Sequence, residues 1–399
     1  MNGSRAPLLA MILALAPVCA PAQTQARPVV VGAAVAQTGQ LADLAAGYRK
    51  ALLLWQDEVN AAGGLLGRHV ELTLIDDRSE AITAERLYER LMRERHADLL
   101  IGPFGSAASR GAAAAADRAR RVLINATGAT QSVLRAGHRY AFQVAAPYAV
   151  YGKGVLSVAR QAGFRRLFIL ARDDPASREM ATHTAAQAAR QGMDAGALGA
   201  HIYASGLSDF EPLVAMAKSA RAQAWIAFGE ATDAAEMVKT FKRLGYAPPL
   251  FFAQGAADPS FITAVGQDAE RVIGLSGYEP SFATTGNAGF VKAFEARWSS
   301  PPGLAAAEGY AACEVLEDAI KRAGSLDQER LRETLATLTT ETVLGGYKLD
   351  AASGEQLGAR PALLQILKGR REVVWPDALA TAMWQLPYPG WRQRVLLHR

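Results

Sequence analysis

The stretch LLIGPFGSAAS (residues 99–109) decides the predicted fold. Its first three residues are apolar and indicate a buried strand, which ends at Gly102 and Pro103 and is followed by small residues. Glycine permits backbone conformations that other residues avoid, and proline removes a backbone donor and stiffens the turn. In an open parallel sheet, ligands collect in the crevice beyond the carboxyl ends of the strands. The stretch therefore predicts a strand end at which another molecule approaches the main chain.

Ser106 stands where the next predicted helix starts. A serine at a helix N-terminus is most often a cap. It can also leave the N–H groups of the first turn directed at an anion, with its own hydroxyl beside them. Ser106 taken alone leaves both interpretations open.

A second strand end, RVLINATGATQSVL (residues 121–134), repeats this chemistry. Gly128 and Thr130 follow shortly after Asn125, at the next strand end of the same predicted sheet. Hydrogen bonds to a charged group contribute about 1.5–3 kcal/mol each. Three or four of them supply much of the roughly 8 kcal/mol that micromolar binding requires. The two loops together predict a binding site for one carboxylate.

The hydrophobic period alternates between strand and helix along both halves of the chain. Repeated strand–helix–strand units imply parallel sheets covered by helices on both faces, so we predict an α/β fold with two doubly wound lobes. The segment YAFQVAAPYAVYGKG (residues 140–154) interrupts the alternation and places a boundary near residues 144–147. Strands are predicted at 29–31, 69–75, 97–102, 121–125, 165–171, 199–203, 224–229, 249–253 and 272–277, and the last helices at 287–298, 305–322 and 327–337.

Residues 1–22 predict a secretory signal peptide. Arg5 precedes an apolar run over residues 8–18, and a small-x-small cleavage site follows. Cys19 raises lipoprotein processing as an alternative, to which Val18 is a poor fit. No other stretch has the roughly 20 apolar residues that a membrane span needs. We therefore expect an exported protein in the periplasm.

Charge and motif content narrow the function classes. The net charge of +5 becomes +4 when Arg5 is removed (5 − 1), and charges of both signs are interspersed, so we expect no nucleic-acid partner. Without the signal peptide, Cys313 is the only cysteine and no internal disulfide can form. The chain has no Walker loop, no Gly-x-Gly-x-x-Gly after its first strand and no Gly-x-Ser-x-Gly elbow. We predict a binding protein rather than an enzyme, with no cofactor and no metal site.

Several motifs resemble the leucine/isoleucine/valine-type periplasmic binding proteins, the solute receptors of ABC importers. In the first half, NAAGGLLGRHVELTLIDD (60–77), LLIGPFGSAAS and INATGAT (124–130) carry the resemblance. It extends through SDFEPLVAMAKSARAQAWIAFG (208–229), MVKTFKRLGY (237–246) and VVWPDALATA (373–382), and so covers nearly all of the mature chain.

This resemblance implies a type I periplasmic-binding-protein fold, in which two lobes joined by three hinge crossings close on a ligand. Residues 27–146 with about 275–345 would form the first lobe, residues 147–274 with about 346–385 the second, and residues 386–399 a C-terminal tail. It also implies capture of a small carboxylate such as a branched-chain amino acid, delivery to an inner-membrane ABC permease, and a monomer.

The resemblance further implies that Ser106 with Ala107, Gly128 and Thr130 hold the ligand carboxylate, because these residues match the family's motifs. The physical interpretation of the two strand ends points to the same residues.

The second lobe departs from the family pattern. Family amino-acid binders have a Glu that receives the ligand ammonium where this chain has Gln254, and an aromatic residue where it has Glu230. A neutral amide offers no compensating charge, so Gln254 argues against an ammonium. Glu230 either restores that charge or is a solvated residue at a helix start. The family's usual Tyr and disulfide positions correspond to Ala176, Ser79 and Gly105.

Other residues leave alternatives open. Tyr148 and Tyr151, at the entrance to the second lobe, either cover an apolar or aromatic ligand or serve lobe packing. Arg172 and Asp173, at another strand end, are interpreted as ion-pair residues. Gln254 keeps aromatic acids, amides and other non-amino carboxylates as candidate ligands, and a periplasmic sensor is the alternative to a transport receptor.

Overall fold

The computed structural model describes residues 27–130, 133, 137–350 and 353–394 of the chain. The predicted signal peptide and Cys19 lie outside this described part. Within it, no helix is both long enough and apolar enough to span a bilayer.

The first sheet consists of parallel strands in the order β2-β1-β3-β4-β5. The fifth strand lies in the segment that was predicted to interrupt the alternation, where the sequence analysis placed no strand. Its residues run directly into the apolar residues 144–146 and Pro147, so this segment was interpreted as a boundary and not as a strand. The strands are β1 (Val29–Val35), β2 (Val70–Asp76), β3 (Leu99–Ile101), β4 (Leu123–Asn125) and β5 (Ala141–Gln143).

The second sheet has the order β14-β13-β10-β9-β8-β6-β7. Its strands from β6 to β10 are parallel to one another. At one edge, β13 pairs antiparallel with β10, and β14 pairs antiparallel with β13. The strands are β6 (Leu167–Arg172), β7 (His201–Tyr203), β8 (Ala224–Phe228), β9 (Leu250–Ala253), β10 (Ile273–Ser276), β13 (Ala362–Leu367) and β14 (Arg370–Trp375), and a separate hairpin pairs β11 (Thr339–Thr342) with β12 (Gly345–Lys348).

Helices separate the strands and close the core. The indole Nε1 of Trp55 donates to Glu317 at 2.9 Å, which joins the first helix to a long helix from the second half of the chain. In chain order, the helices are α1 (Ala42–Ala61), α2 (Ala84–Arg93), α3 (Ser106–Ala119), α4 (Lys153–Gln161), α5 (Pro175–Arg190), α6 (Glu211–Ser219), α7 (Ala231–Leu244), α8 (Pro259–Val265), α9 (Asn287–Trp298), α10 (Leu304–Ala323) and α11 (Gln328–Thr337).

The chain passes between the two sheets three times: after β5, after β10, and between β12 and β13. The side chain of Gln356 in the third crossing donates to the Val144 carbonyl of the first at 3.0 Å. The helices α9 to α11 contribute to the same hydrophobic core as the first sheet. This arrangement confirms the predicted fold class of two lobes joined by three crossings.

The described part of the C-terminal tail packs on the second sheet. Tyr388 is only 2% exposed, and the indole of Trp391 donates to the Tyr246 carbonyl at 2.7 Å. The Arg394 guanidinium lies over both rings, 4.5 Å from the Tyr388 centroid and 4.4 Å from that of Trp391. The tail is therefore part of the second lobe's core.

Replacing Tyr388 with Ala removes a fully packed ring, and large-to-small core substitutions of aromatic residues cost about 3–5 kcal/mol. We expect Tyr388→Ala to lower the free energy of unfolding in urea by about 3 kcal/mol. The exposed neighbour Arg392 provides the control, since Arg392→Ala should change stability by less than about 0.5 kcal/mol. Equal stabilities of the two variants would contradict this account of the tail.

Candidate functional site

Two tyrosine hydroxyls hold the end of β3. Tyr48 of α1 donates to the Gly102 carbonyl at 2.8 Å, and Tyr88 of α2 donates to the Ile101 carbonyl at 2.6 Å. Buried carbonyls need donors once a strand leaves its ladder. The loop that follows β3 therefore starts from a fixed position.

Thr127 joins the two predicted strand-end loops. Its hydroxyl donates to the Pro103 carbonyl at 3.0 Å and accepts from the Gly105 N–H at 2.8 Å. The side chain is buried, so this connection is shielded from water. The sequence analysis missed Thr127, although a hydroxyl between Asn125 and Gly128 was a visible signal.

Gly128 brings the second loop onto the start of α3. Its φ of +72° is a conformation that other residues rarely adopt. A Cβ at this position would lie 2.5 Å from Ser109 Oγ and 3.1 Å from Ser106 Cα. The structure thus places the predicted residues Ser106 and Gly128 directly against each other.

Ser106 is the first residue of α3, and the N-cap position belongs to Gly105, with φ of +90°. The Ser106 side chain lies beside the phenol of Tyr148 and acts to lower the pKa of that phenol. The structure thus places Ser106 next to a hinge residue and one residue beyond the N-cap position. Ala107 follows and is exposed, and Thr130 is 8% exposed.

The two predicted tyrosines lie where the first crossing enters the second lobe. The Tyr148 N–H donates to the Ala129 carbonyl at 3.3 Å, and the Tyr148 and Tyr151 rings meet edge to face with centroids 5.2 Å apart. Burial, together with nearby negative charges, raises the pKa of Tyr148 to about 12. Its phenol is therefore a protonated donor at neutral pH. We call Ser106, Gly128, Thr130 and Tyr148 the strand-end cluster.

Glu230 and Gln254 lie together on the second lobe. A Cβ at Gly255 would lie 2.1 Å from the carbonyl carbon of Glu230, so the loops after β8 and β9 are in contact. Glu230 caps α7 in a reciprocal arrangement with Asp233. It also forms an ion pair with Arg172, although its side chain is 68% exposed. The charge of Glu230 is therefore balanced within the lobe.

Asp173 pairs with a different partner, Arg178, at 2.6 Å. Arg172 and Asp173 are thus both ion-pair residues, as the sequence interpretation has them. Arg172 also donates to Ser205 Oγ at 2.6 Å, which fixes the guanidinium between two strand ends.

A cleft of about 850 Å³ lies between the lobes. Leu44 and Leu304 line it from the first lobe, and Glu230 and Gln254 from the second. The Gln254 Oε1 atom is buried and has no hydrogen-bond partner among the described residues. An unsatisfied buried acceptor costs about 1–3 kcal/mol, so a ligand that donates a hydrogen bond would stabilise this wall.

The two groups of predicted residues are separate, because Glu230 and Gln254 line this cleft and the residues of the strand-end cluster are not part of its lining. In the described part of the chain, no hydrogen bond or ion pair joins Ser106, Gly128 or Tyr148 to Glu230 or Gln254.

The sequence profile of the periplasmic binding protein family matches residues 28–370. This chain belongs to that family.

Three individual relatives are informative for a periplasmic binding protein of this kind. An amino acid binding protein of Pseudomonas aeruginosa is 24% identical over 332 residues, covering 81% of this chain and 86% of the relative. LivJ of Streptococcus pneumoniae, solved with isoleucine, aligns with a TM-score of 0.68 and 23% identity over 88% of this chain and all (100%) of its own. A solute-binding protein of an R. palustris ABC transporter, solved with benzoate, aligns with a TM-score of 0.68 and 20% identity over 91% of this chain and 97% of its own. The two solved structures share the fold of this binding protein.

Glu308 of α10 is an acidic residue with a shifted pKa that the sequence analysis missed. It lines a cavity of about 20 Å³ together with Tyr151, Gly277 and Leu304. Burial raises the pKa of Glu308 to about 8, and no hydrogen bond or ion pair to its carboxylate is found among the described residues. The signal in the sequence was one Glu within the otherwise apolar run LAAAEGYAAC (304–313).

This raised pKa predicts a pH-dependent stability. The folded-state pKa of about 8 lies above the ordinary value of 4.5, so between these pH values the carboxyl is neutral when folded and charged when unfolded. Its contribution to stability is full below pH 4.5 and is lost as pH rises to about 8. We expect Glu308→Gln to be more stable than the native chain at pH 8, by an amount on the order of a few kcal/mol. At pH 4.5 the two proteins should be nearly equally stable.

Urea unfolding at both pH values measures this effect. The exposed Glu295 on α9 is the matched control, and Glu295→Gln should not change the pH dependence. A Glu308→Gln protein that is less stable than the native chain at pH 8 would contradict the expectation.

Proposed function

We propose that this protein is a periplasmic solute-binding receptor that captures a small carboxylate between its lobes and delivers it to an ABC importer. The observation that carries the proposal is the contact between the two strand-end loops, in which Gly128 lies directly against Ser106 at the first turn of α3. The amides and hydroxyls of both loops thus converge at one sheet edge.

At the two strand-end loops, an anion would be held by neutral N–H and hydroxyl groups, since no positively charged side chain is present in either loop. Residues 99–109 and 122–130 contain no Lys or Arg. The N-terminus of a helix carries partial positive charge and unpaired N–H groups, and α3 begins at Ser106. Hydrogen bonds to a carboxylate contribute about 1.5–3 kcal/mol each. Ser106, Ala107, Gly128 and Thr130 are therefore proposed to hold the ligand carboxylate.

Closure of the lobes would complete the site. We propose that residues 27–146 with about 275–345 move against residues 147–274 with about 346–385 at the three crossings. Tyr148 stands at the first crossing beside Ser106, so it lies next to residues of both lobes. Gln254 and Glu230 line the opposite wall and would contact the ligand in the closed form. Such contacts favour closure only through their higher affinity for the closed state.

The relatives support a ligand of this class. The P. aeruginosa relative is named an amino acid binding protein, LivJ was solved with isoleucine and the R. palustris protein with benzoate. We propose a branched-chain or related amino acid as the ligand. The neutral Gln254 favours an aromatic acid or amide as the second candidate. A monomer that docks on an inner-membrane permease, rather than an enzyme, fits this role, and a periplasmic sensor would use the same site.

The proposal is tested by removing the two hydroxyls. A thermal-shift screen of leucine, isoleucine, phenylalanine and benzoate selects the ligand, and calorimetry then measures its affinity. We expect Ser106→Ala and Thr130→Ala each to weaken binding by roughly tenfold or more, since a lost hydrogen bond to a charged group is worth at least about 1.5 kcal/mol. Both variants should remain folded.

Ser219→Ala serves as the matched control, because Ser219 is an exposed hydroxyl at the end of α6. Its affinity should equal that of the native protein. Native affinity in both site variants would overturn the assignment of the carboxylate site, and binding of none of the four compounds would overturn the proposed ligand class.

A further inference from the structure

We propose that Glu308 receives the ammonium group of the ligand, so that the protein selects amino acids over their deaminated carboxylate analogues. The inference rests on the proposed function, because the ligand carboxylate must first be anchored at the strand-end cluster. It places the cation receptor on the hinge side of the first lobe instead of on the second lobe.

The second lobe has no uncommitted negative charge at its predicted contact residues. Gln254 is neutral, and Glu230 is occupied as the cap of α7 and as the partner of Arg172. Drawing Glu230 toward a ligand would break both interactions. Asp233 is likewise committed, since it accepts from the Glu230 N–H at 2.9 Å.

Glu308 stands where the three crossings meet. Its small cavity is lined by Ala145 and Ala146 of the first crossing, Gly277 of the second and Arg360 of the third. The cavity volume of about 20 Å³ is near the space that one water needs, and an ammonium group is of similar size. Gly277 and Leu304 also line the large cleft, so the two spaces adjoin.

Glu308 also lies within electrostatic reach of Tyr148 and Tyr151, because its negative charge contributes to the raised pKa values of both phenols. Ser106 is likewise a neighbour of the Tyr148 phenol. The carboxylate site and Glu308 therefore share Tyr148 as a neighbour. An α-amino acid carries its carboxylate and its ammonium group on the same carbon. A carboxylate site and an acidic side chain that are both neighbours of Tyr148 fit such a ligand.

Binding would be coupled to proton release. With a pKa of about 8, the half-buried Glu308 carboxyl is mostly neutral at pH 7, and it must lose its proton to water to pair with an ammonium. The other groups that face it are Tyr48 of α1, Tyr148, Tyr151 and Arg360. Burial raises the pKa of each of the three phenols, so they stay protonated between pH 6 and 8, and Glu308 is the acidic group among them that titrates in this range.

The test compares matched ligand pairs in three proteins by calorimetry. The pairs are leucine with 4-methylpentanoate and phenylalanine with 3-phenylpropanoate, and the proteins are native, Glu308→Gln and Glu314→Gln. Glu314 lies on the same helix and has a carboxylate whose pKa burial also raises to about 8, but it accepts from the Val343 N–H at 2.9 Å and lines neither space. It is therefore the control for burying a Gln in α10.

We expect the native protein to bind the amino acid of a pair more tightly than its analogue. Glu308→Gln should weaken amino-acid binding about tenfold or more, as for a lost bond to a charged group, and should leave analogue binding within about twofold. Glu314→Gln should change neither. Amino-acid affinity of the native protein should rise between pH 6 and 8, by at most about tenfold per pH unit, with proton release visible in buffers of different ionisation enthalpy. The Glu308→Gln protein should show neither effect.

Each alternative outcome is informative. Equal effects of Glu308→Gln on both members of a pair, or no effect on either, overturn the role of Glu308 while the proposed function stands. A native protein that prefers the deaminated analogues also overturns it. Failure of the native protein to bind any of the four compounds overturns the proposed function and this inference together.

Discussion

The arrangement of the two strand-end loops depends on the two hydrogen bonds of the Thr127 hydroxyl. This hydroxyl donates to one loop at the Pro103 carbonyl and accepts from the Gly105 amide, while its own backbone belongs to the other loop. A hydroxyl can do both at once because it carries a donor and two acceptor lone pairs. The two strand ends are thus locked into one unit before any ligand arrives, and the start of α3 is held where Gly128 can lie against it.

Charge is distributed unevenly across the cleft. On the second lobe, Glu230 is balanced by Arg172 and fixed at a helix start, and Gln254 carries no charge. On the first lobe, the two strand-end loops hold no charged side chain, whereas Glu308 lines the small cavity at the crossings and, within the part of the chain that the structure describes, pairs with no other group. A buried carboxyl without a partner is tolerated because it takes up a proton. Glu230 is therefore paired within the second lobe, whereas Glu308 on the first lobe has no hydrogen-bond or ion-pair partner among the described residues.

The sequence predicted the fold well where elements are long or strongly periodic. The helix at 287–298 has the bounds that were predicted, and β8 differs by one residue. β5 escaped prediction because it runs directly into the segment that was interpreted as the boundary, and the pairing of β10 with β13 and of β13 with β14 depends on contacts that no local pattern encodes. Within the site, the adjacency of Ser106 and Gly128 followed from the rule that parallel strands end at one edge. The pairing of Glu230 with Arg172 and the burial of Glu308 arise from residues distant in sequence, so the chain's local pattern did not show them.

The order of the segments along the chain has a consequence for folding. Every strand of the first sheet lies between Val29 and Gln143, whereas the second sheet is finished by β13, β14 and the tail that carries Tyr388. Synthesis proceeds from the amino terminus, and domains fold as their segments become available. The second lobe must therefore wait for residues 362–394, with its apolar strands already made and these neighbours still missing. A chain cut before β13 would expose those strands, whereas every strand of the first sheet would still be present.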